Sequence, residues 1–193
     1  MKHVLKILKK SIVPIIFIMA FLVVQALLDL SLPTYTSDIV NNGIVNYGIT
    51  NSYPDVIRES EYNKLTKYLT NEEKDIVSDS YNLIEKGNVN YINDYSALNN
   101  ENIYIITDKV DSTKLNTIMK KTIVINYLIE NNMINLNDLS KYSNNDNLNV
   151  DETLINQVVL NYIKEEYVKV GVDVDSMQIH YVLSSGLRML GVV

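Results

Sequence analysis

The sequence predicts a mainly α protein: a transmembrane helix, a small mainly helical extracellular domain with at most a short strand, then the start of a second transmembrane helix. Three observations predict it. Residues 12–28 read IVPIIFIMAFLVVQALL, with Gln25 the only hydrogen-bonding side chain. From Thr34 to Gln178 the chain is instead dominated by Asn, Asp, Glu, Lys and Tyr, and from Tyr181 it turns apolar again as YVLSSGLRMLGVV. With 47% hydrophobic residues so unevenly spread over 193 positions, two different solvents are implied.

The first apolar segment carries the strongest signal. At about 1.5 Å rise per residue, Ile12 to Pro33 gives roughly 33 Å of helix, enough to cross a hydrocarbon core of about 30 Å. Lys2, Lys6, Lys9 and Lys10 precede it without an acidic residue. The positive-inside rule therefore places residues 1–10 in the cytoplasm as a basic tail and everything after Pro33 outside. Pro14 falls where a first helical turn tolerates a missing N–H. A cleaved signal peptide shares the grammar of a basic start and an apolar run. The run here is long, and no small-x-small cleavage site follows it, which favours an uncleaved span; with no cysteine, a lipoprotein anchor is excluded.

Gln25 and Asp29 stand four residues apart, so a helix sets both on one face. Such a face packs on other protein or a wet cavity, because an ionisable group in lipid is expensive; the other reading puts Asp29 at the outer interface, where the cost is small. Beyond Pro33, Ile39, Val40 and Ile44 keep a helical pattern, with Gly43 and Gly48 as expected stops. Residues 11–49 thus form the first helix and its outer extension.

Residues 50–172 read as a soluble insert. Thr34 to Gln178 holds 12 Lys and Arg against 22 Asp and Glu, an acidity that does not seek nucleic acid or anionic lipid. A short helix is expected around Glu61–Leu69. Thr70-Asn71-Glu72-Glu73 is a capping box opening a helix with Ile76, Val77, Ser80, Leu83 and Ile84 on one side and Gly87 as its stop. NIYIIT, 102–107, is the one strand-like run. Asp111 or Ser112 caps a helix with Leu115, Ile118, Met119, Ile123, Tyr127 and Leu128 at helical spacing. After an Asn-rich loop, Ser143–Val150, Asp151 opens a helix ended by Gly171.

Residues 173–193 begin with Asp173 and Asp175, well placed for a helix N-terminus, and then turn apolar. Ile179 to Val193 gives roughly 22 Å, short of a span, so the expectation is the first part of a second membrane helix whose continuation lies beyond Val193. Arg188, about 13 Å into that helix, either pairs within a helix bundle or snorkels outward. Asp29 and Arg188 are the two ionised side chains inside the apolar segments, and they are expected to approach each other if the first helix extends past Pro33.

The chemistry-bearing patterns are sparse. His3 and His180 without any cysteine do not support a zinc site, and Asp146, Asp151, Asp173 and Asp175 lack EF-hand spacing and its glycine. No G-x-x-x-x-G-K-[ST] and no Ser, His and Asp constellation stands out, so no catalytic, cofactor-binding or metal-ligating residue is assigned.

Two architectures fit this plan: a transporter with a domain inserted in its first outer loop, and a two-span sensor (chemoreceptor or histidine kinase) with an outer ligand-binding domain. The junctions separate them. QALLDLSLPTYTSDIVNNGI, 25–44, resembles the end of the first membrane helix of ATP-binding cassette exporters, and VGVDVDSMQIHYVLSSGLRMLGVV, 170–193, is similar to the start of their second. TNEEKDIVSDSYNLIEKG and NNENIYIITDKVD fit the insert found in the first outer loop of multidrug-type exporter half-subunits of Firmicutes, especially Clostridia.

The resemblance implies alternating access by paired half-transporters, homodimer or heterodimer, in the cell membrane, with lipid and an export substrate as partners. It implies ATP and Mg in a nucleotide-binding domain that this chain does not contain, so ATP hydrolysis attaches to no residue here and the chain is not itself an enzyme. It further implies that Gln25, Asp29, Ser184, Ser185 and Arg188 line or support the substrate path. The outer insert would be a substrate-capturing lid or a tethered domain that stabilises the helices or meets the partner subunit.

Overall fold

The computed structural model describes residues 2–108, 110–133 and 151–192. The Asn-rich loop expected at Ser143–Val150, with Asp146, lies outside the described residues. The described chain is mainly helical and divides into two compact units, residues 1–48 with 178–193, and residues 49–177.

In the first unit, helix α1 runs from Lys2 to Asp38 and passes directly into a π-helical segment, Ile39–Val45. Its apolar side chains from Ile12 to Leu30 are exposed on every side, which is what a helix solvated by acyl chains presents. The helix Ile12–Val45 is long and apolar enough to cross a membrane, and it is the one such helix among the described residues. Pro14 is not in a first turn: α1 begins at Lys2, so Pro14 and Pro33 are both interior. Each removes an i−4 hydrogen bond without ending the helix. Gly43 is likewise no stop but part of the π segment; the chain turns only after it, at Gly48 with φ +81°.

The second unit is built around a three-stranded antiparallel sheet, ordered β1-β3-β2: β1 is Val56–Arg58, β2 Tyr81–Ile84 and β3 Ile103–Ile106. Tyr104 stands opposite Ile57 on one side and Leu83 on the other. The strand expected at 102–107 is therefore the centre of a sheet whose two partners the periodicity did not reveal. Helix α2 is Glu59–Thr66 and α3 is Asn71–Ser80, opened by the expected capping box, with Glu73 N–H donating to the Thr70 hydroxyl and Thr70 N–H to the Glu73 carboxylate.

Helix α3 does not reach Gly87. The Ser80 hydroxyl donates to the Ile76 carbonyl at 2.7 Å, the Tyr81 hydroxyl donates to the buried Pro54 carbonyl at 2.7 Å, and the chain leaves as β2. Leu83, placed on a buried helix stripe by spacing, is 46% exposed. Pairing with β3 outweighs a four-residue extension of a helix, since Tyr and Ile favour the pleated surface. Gly87, with φ +77°, instead sits in a turn whose N–H donates to the Leu98 carbonyl.

A 3₁₀ turn, Ser96–Asn99, precedes β3. Helix α4, Ser112–Glu130, is capped by the Asp111 carboxylate accepting from Lys114 N–H, and α5, Glu152–Val170, is capped by Asp151 and ended by Gly171. The core comprises Ile57, Leu65, Val77, Leu98, Ile103, Leu115, Met119, Ile123 and Ile163, all essentially without exposure; Tyr127 of the expected α4 stripe is exposed instead. Helix α6, Val174–Val192, completes the chain, with Asp173 accepting from Ser176 N–H at its start.

Candidate functional site

In the first unit the two stretches at the junctions meet. The Asp38 carboxylate accepts the Tyr181 hydroxyl, 3.0 Å from each oxygen, and the Asn42 amide at 2.6 Å. Gln178 donates its side-chain N–H to the Ile44 carbonyl at 3.0 Å. Gly43 makes the approach possible: a Cβ there would stand 2.8 Å from Val182 Cγ2, closer than side chains tolerate. A π segment shifts its hydrogen bonds to i→i+5, and such departures from α geometry recur at functional positions. Here the π segment holds the glycine that faces α6.

The five residues singled out in the sequence fall into different settings. Ser185 is 3% exposed, and the Ser184 hydroxyl donates within its own helix to the Tyr181 carbonyl at 3.0 Å. Gln25, Asp29 and Arg188 are exposed. Among the described residues, no ion pair or side-chain hydrogen bond includes Asp29 or Arg188, so the structure does not bring these two together.

Helical phase gives the reason. Asp29 precedes Asp38 by nine residues, which at 3.6 residues per turn is about 180° of rotation. Helix α6 meets α1 on the Asp38 side, and Asp29 points the other way. There it lines a shallow groove with Leu32, Pro33, Thr36, Ser37, Val40 and Asn41.

The second unit holds a polar cluster that the sequence reading did not find. Glu166, 2% exposed, accepts from Arg58 three times: backbone N–H at 2.9 Å, Nε at 3.0 Å and a terminal guanidinium nitrogen at 2.8 Å. Arg58 also lies 3.6 Å from Glu101 and 3.9 Å from Glu61. The hydrogen bond to Glu166 raises the guanidinium above its ordinary pKa, reinforced by all three carboxylates against the opposing effect of burial. Tyr162 donates its hydroxyl to Glu61 at 2.9 Å; burial, then the Glu61 charge, push that phenol well up. A sequence signal existed. Val159, Ile163, Glu166, Tyr167 and Val170 recur at core spacing on α5, which leaves a glutamate among buried positions, and Arg58 is the only arginine in the insert.

The cluster's geometry is that of a staple joining β1, α2 and α5: Arg58 lies within 4 Å of all three carboxylates, while Glu61 also accepts from Tyr162 and Lys64, and Glu101 accepts from the Ser60 N–H. Among the described residues there is no group of three His, Cys, Asp or Glu side chains able to hold a metal ion.

No family model, curated protein or solved structure matches the chain.

Proposed function

We propose that the chain is part of the membrane portion of an ATP-driven exporter half-subunit of the ATP-binding cassette type, comprising its first membrane helix, an outer inserted domain and the beginning of its second helix. One observation carries the proposal. The two stretches that resemble exporter helices, 25–44 and 170–193, are the ones that pack on each other, through Asp38 with Tyr181, Gly43 with Val182 and Ile44 with Gln178. A first and second membrane helix joined by an outer insert need such a contact to return the chain to the membrane beside its entry point.

In this proposal residues 1–10 are cytoplasmic and 50–172 extracellular, following the positive-inside rule. The partner is a second half-subunit, and the energy source is ATP with Mg at nucleotide-binding domains carried outside this chain. The insert acts as a tethered domain, as its packed core and Arg58 staple suit a fixed support better than a ligand-gripping lid. Transport of drugs, lipids or peptides proceeds by alternating access of the assembled pair.

The reading frame past codon 193 tests this. Four further apolar helices followed by a G-x-x-x-x-G-K-[ST] loop are expected. A long polar heptad region there would overturn the exporter and point to a two-span sensor, in which the insert is the ligand-binding domain.

A further inference from the structure

We propose that β2 is a docking edge for a second copy of this chain, the two strands pairing antiparallel about a two-fold axis at Leu83 so that one continuous sheet runs through both copies. The inference goes beyond the exporter reading and does not rest on it, since a two-span receptor would present the same edge.

The order β1-β3-β2 leaves two sheet edges. Ile106 N–H donates to the Asp55 carbonyl and Thr107 N–H to the Ser80 carbonyl, so even positions of β3 bond toward β1 and odd positions toward β2. With Asn82 opposite Ile105 and Ile84 opposite Ile103, β2 bonds β3 through Ser80, Asn82 and Ile84. The backbone groups of Tyr81, Leu83 and Glu85 therefore point outward. The β1 edge is closed, its outward Arg58 N–H donating to Glu166. The β2 edge is open: Asn82 and Leu83, whose side chains take opposite faces, are both exposed.

The groups left on that edge identify its occupant. The outward Tyr81 N–H already donates to the Ser78 carbonyl, and the Glu85 carbonyl already accepts from Asn88 N–H at 3.2 Å. Among the described residues this leaves Tyr81 C=O, Leu83 N–H, Leu83 C=O and Glu85 N–H. About an axis at Leu83, Leu83 faces the partner's Leu83 and Tyr81 faces the partner's Glu85. The remaining groups then answer each other: Leu83 exchanges two hydrogen bonds with its copy, and each Glu85 N–H donates to the opposite Tyr81 C=O. An arbitrary strand would meet two groups that are already engaged, whereas a second copy brings the matching gaps. The side chains agree. Leu83, 46% exposed in one copy, meets its counterpart across the axis. Glu85 and the partner's Glu85 stand four residues apart along the pair, roughly 14 Å, so like charges do not meet. Lys86, which is exposed, instead comes beside the partner's Asp79, likewise exposed, at the end of α3.

A short edge gives a weak pair, so the test traps it covalently. The chain has no cysteine, and introduced ones report alone. Full-length Asn82→Cys and Ile84→Cys proteins are mixed in mild detergent and oxidised. These positions face each other as a non-hydrogen-bonded pair, with Cα atoms about 4.5 Å apart and within disulfide reach. In either protein alone the cysteines fall two residues out of register, so the mixture is expected to cross-link severalfold better than its components. Leu83→Pro, added to both, removes the outward N–H without touching the ladder to β3; Leu83→Lys sets two ammonium groups together at the axis. Each is expected to lower the cross-link about fivefold or more, as edge proline and lysine do. Leu154→Lys, at a 59% exposed position on α5 beside the opposite edge, is the unchanged control, and circular dichroism checks that each variant is folded. A mixture that cross-links no better than its components, or a folded Leu83→Lys that cross-links as well as the parent, would overturn the pairing. No cross-link at any chain concentration would do the same and leave the edge to a different chain.

Discussion

Glu166 receives three hydrogen bonds from Arg58, one from its backbone and two from its guanidinium, at 2.8 to 3.0 Å and with 2% exposure. A carboxylate taken this far from water depends on its counter-charge, because breaking a buried pair strands the remaining ion. Arg58→Ala is expected to destabilise the second unit by about 3 kcal/mol or more. The paired replacement Arg58→Met with Glu166→Leu is expected to recover most of that loss. Urea unfolding of the full chain in detergent, followed by tyrosine fluorescence, reads both; an Arg58→Ala midpoint equal to wild type would dismiss the staple.

The capping box of α3 gives a pH dependence. Burial pushes the Glu73 carboxyl up, but the Thr70 N–H and hydroxyl and the Lys121 ammonium, 3.0 Å away, outweigh it and hold the group below its ordinary value. A carboxyl depressed in the folded state contributes stability above its unfolded pKa, about 4.3, and loses it as pH falls through the lower folded value. Glu73→Gln is expected to flatten the acid limb of stability in that window. Thr70→Ala is expected to cost about 1 kcal/mol at neutral pH. Melting temperatures between pH 2 and 7 check both.

Gly43 and Tyr181 test the helix contact. Gly43→Ala puts a methyl group 2.8 Å from Val182 and is expected to weaken the pairing of α1 and α6 by roughly 1–3 kcal/mol, as overpacking does. Gly186→Ala, with nothing within 4 Å of the added atom, serves as the control. Tyr181→Phe removes one hydroxyl from Asp38 and is expected to cost about 1 kcal/mol. Disulfide formation between cysteines placed at 44 and 178 reports the pairing, and equal yields in Gly43→Ala and Gly186→Ala would refute the close approach.

At the end of α5, Gly171 has φ +105°, and a Cβ there would stand 2.7 Å from the Ser96 backbone nitrogen. Gly171→Ala therefore meets both a strained backbone and an immovable neighbour. A loss of stability larger than the ordinary 1 kcal/mol scale of a glycine replacement is expected. Thermal unfolding of the second unit, followed by circular dichroism, measures it, and an unchanged midpoint would count against the packing of α5 on the 3₁₀ turn.

Local chemistry was legible where it was self-contained. The Thr70 box needs four consecutive residues, Asp111 and Asp151 cap the helices directly after them, and Gly171 ends the second of these. Strand β2 was not legible, because Tyr81–Ile84 continues the helical spacing of α3 and becomes a strand only by pairing with β3, some twenty residues on. The face of Asp29 was readable as polar, but its direction was not: the side of α1 that α6 takes is decided by Gly43 and Asp38, beyond the apolar run.

By itself the sequence determined one apolar helix of membrane length, an acidic helical insert and its caps, since burial preference and hydrogen bonds within a few residues fix these. The tertiary structure decided the three-stranded sheet, the enclosure of Glu166 by Arg58, and the contact that turns Asp38 toward Tyr181 and Asp29 away. Each of these joins residues from 19 to more than 140 positions apart. Their partners are set by packing in space, which no local pattern encodes.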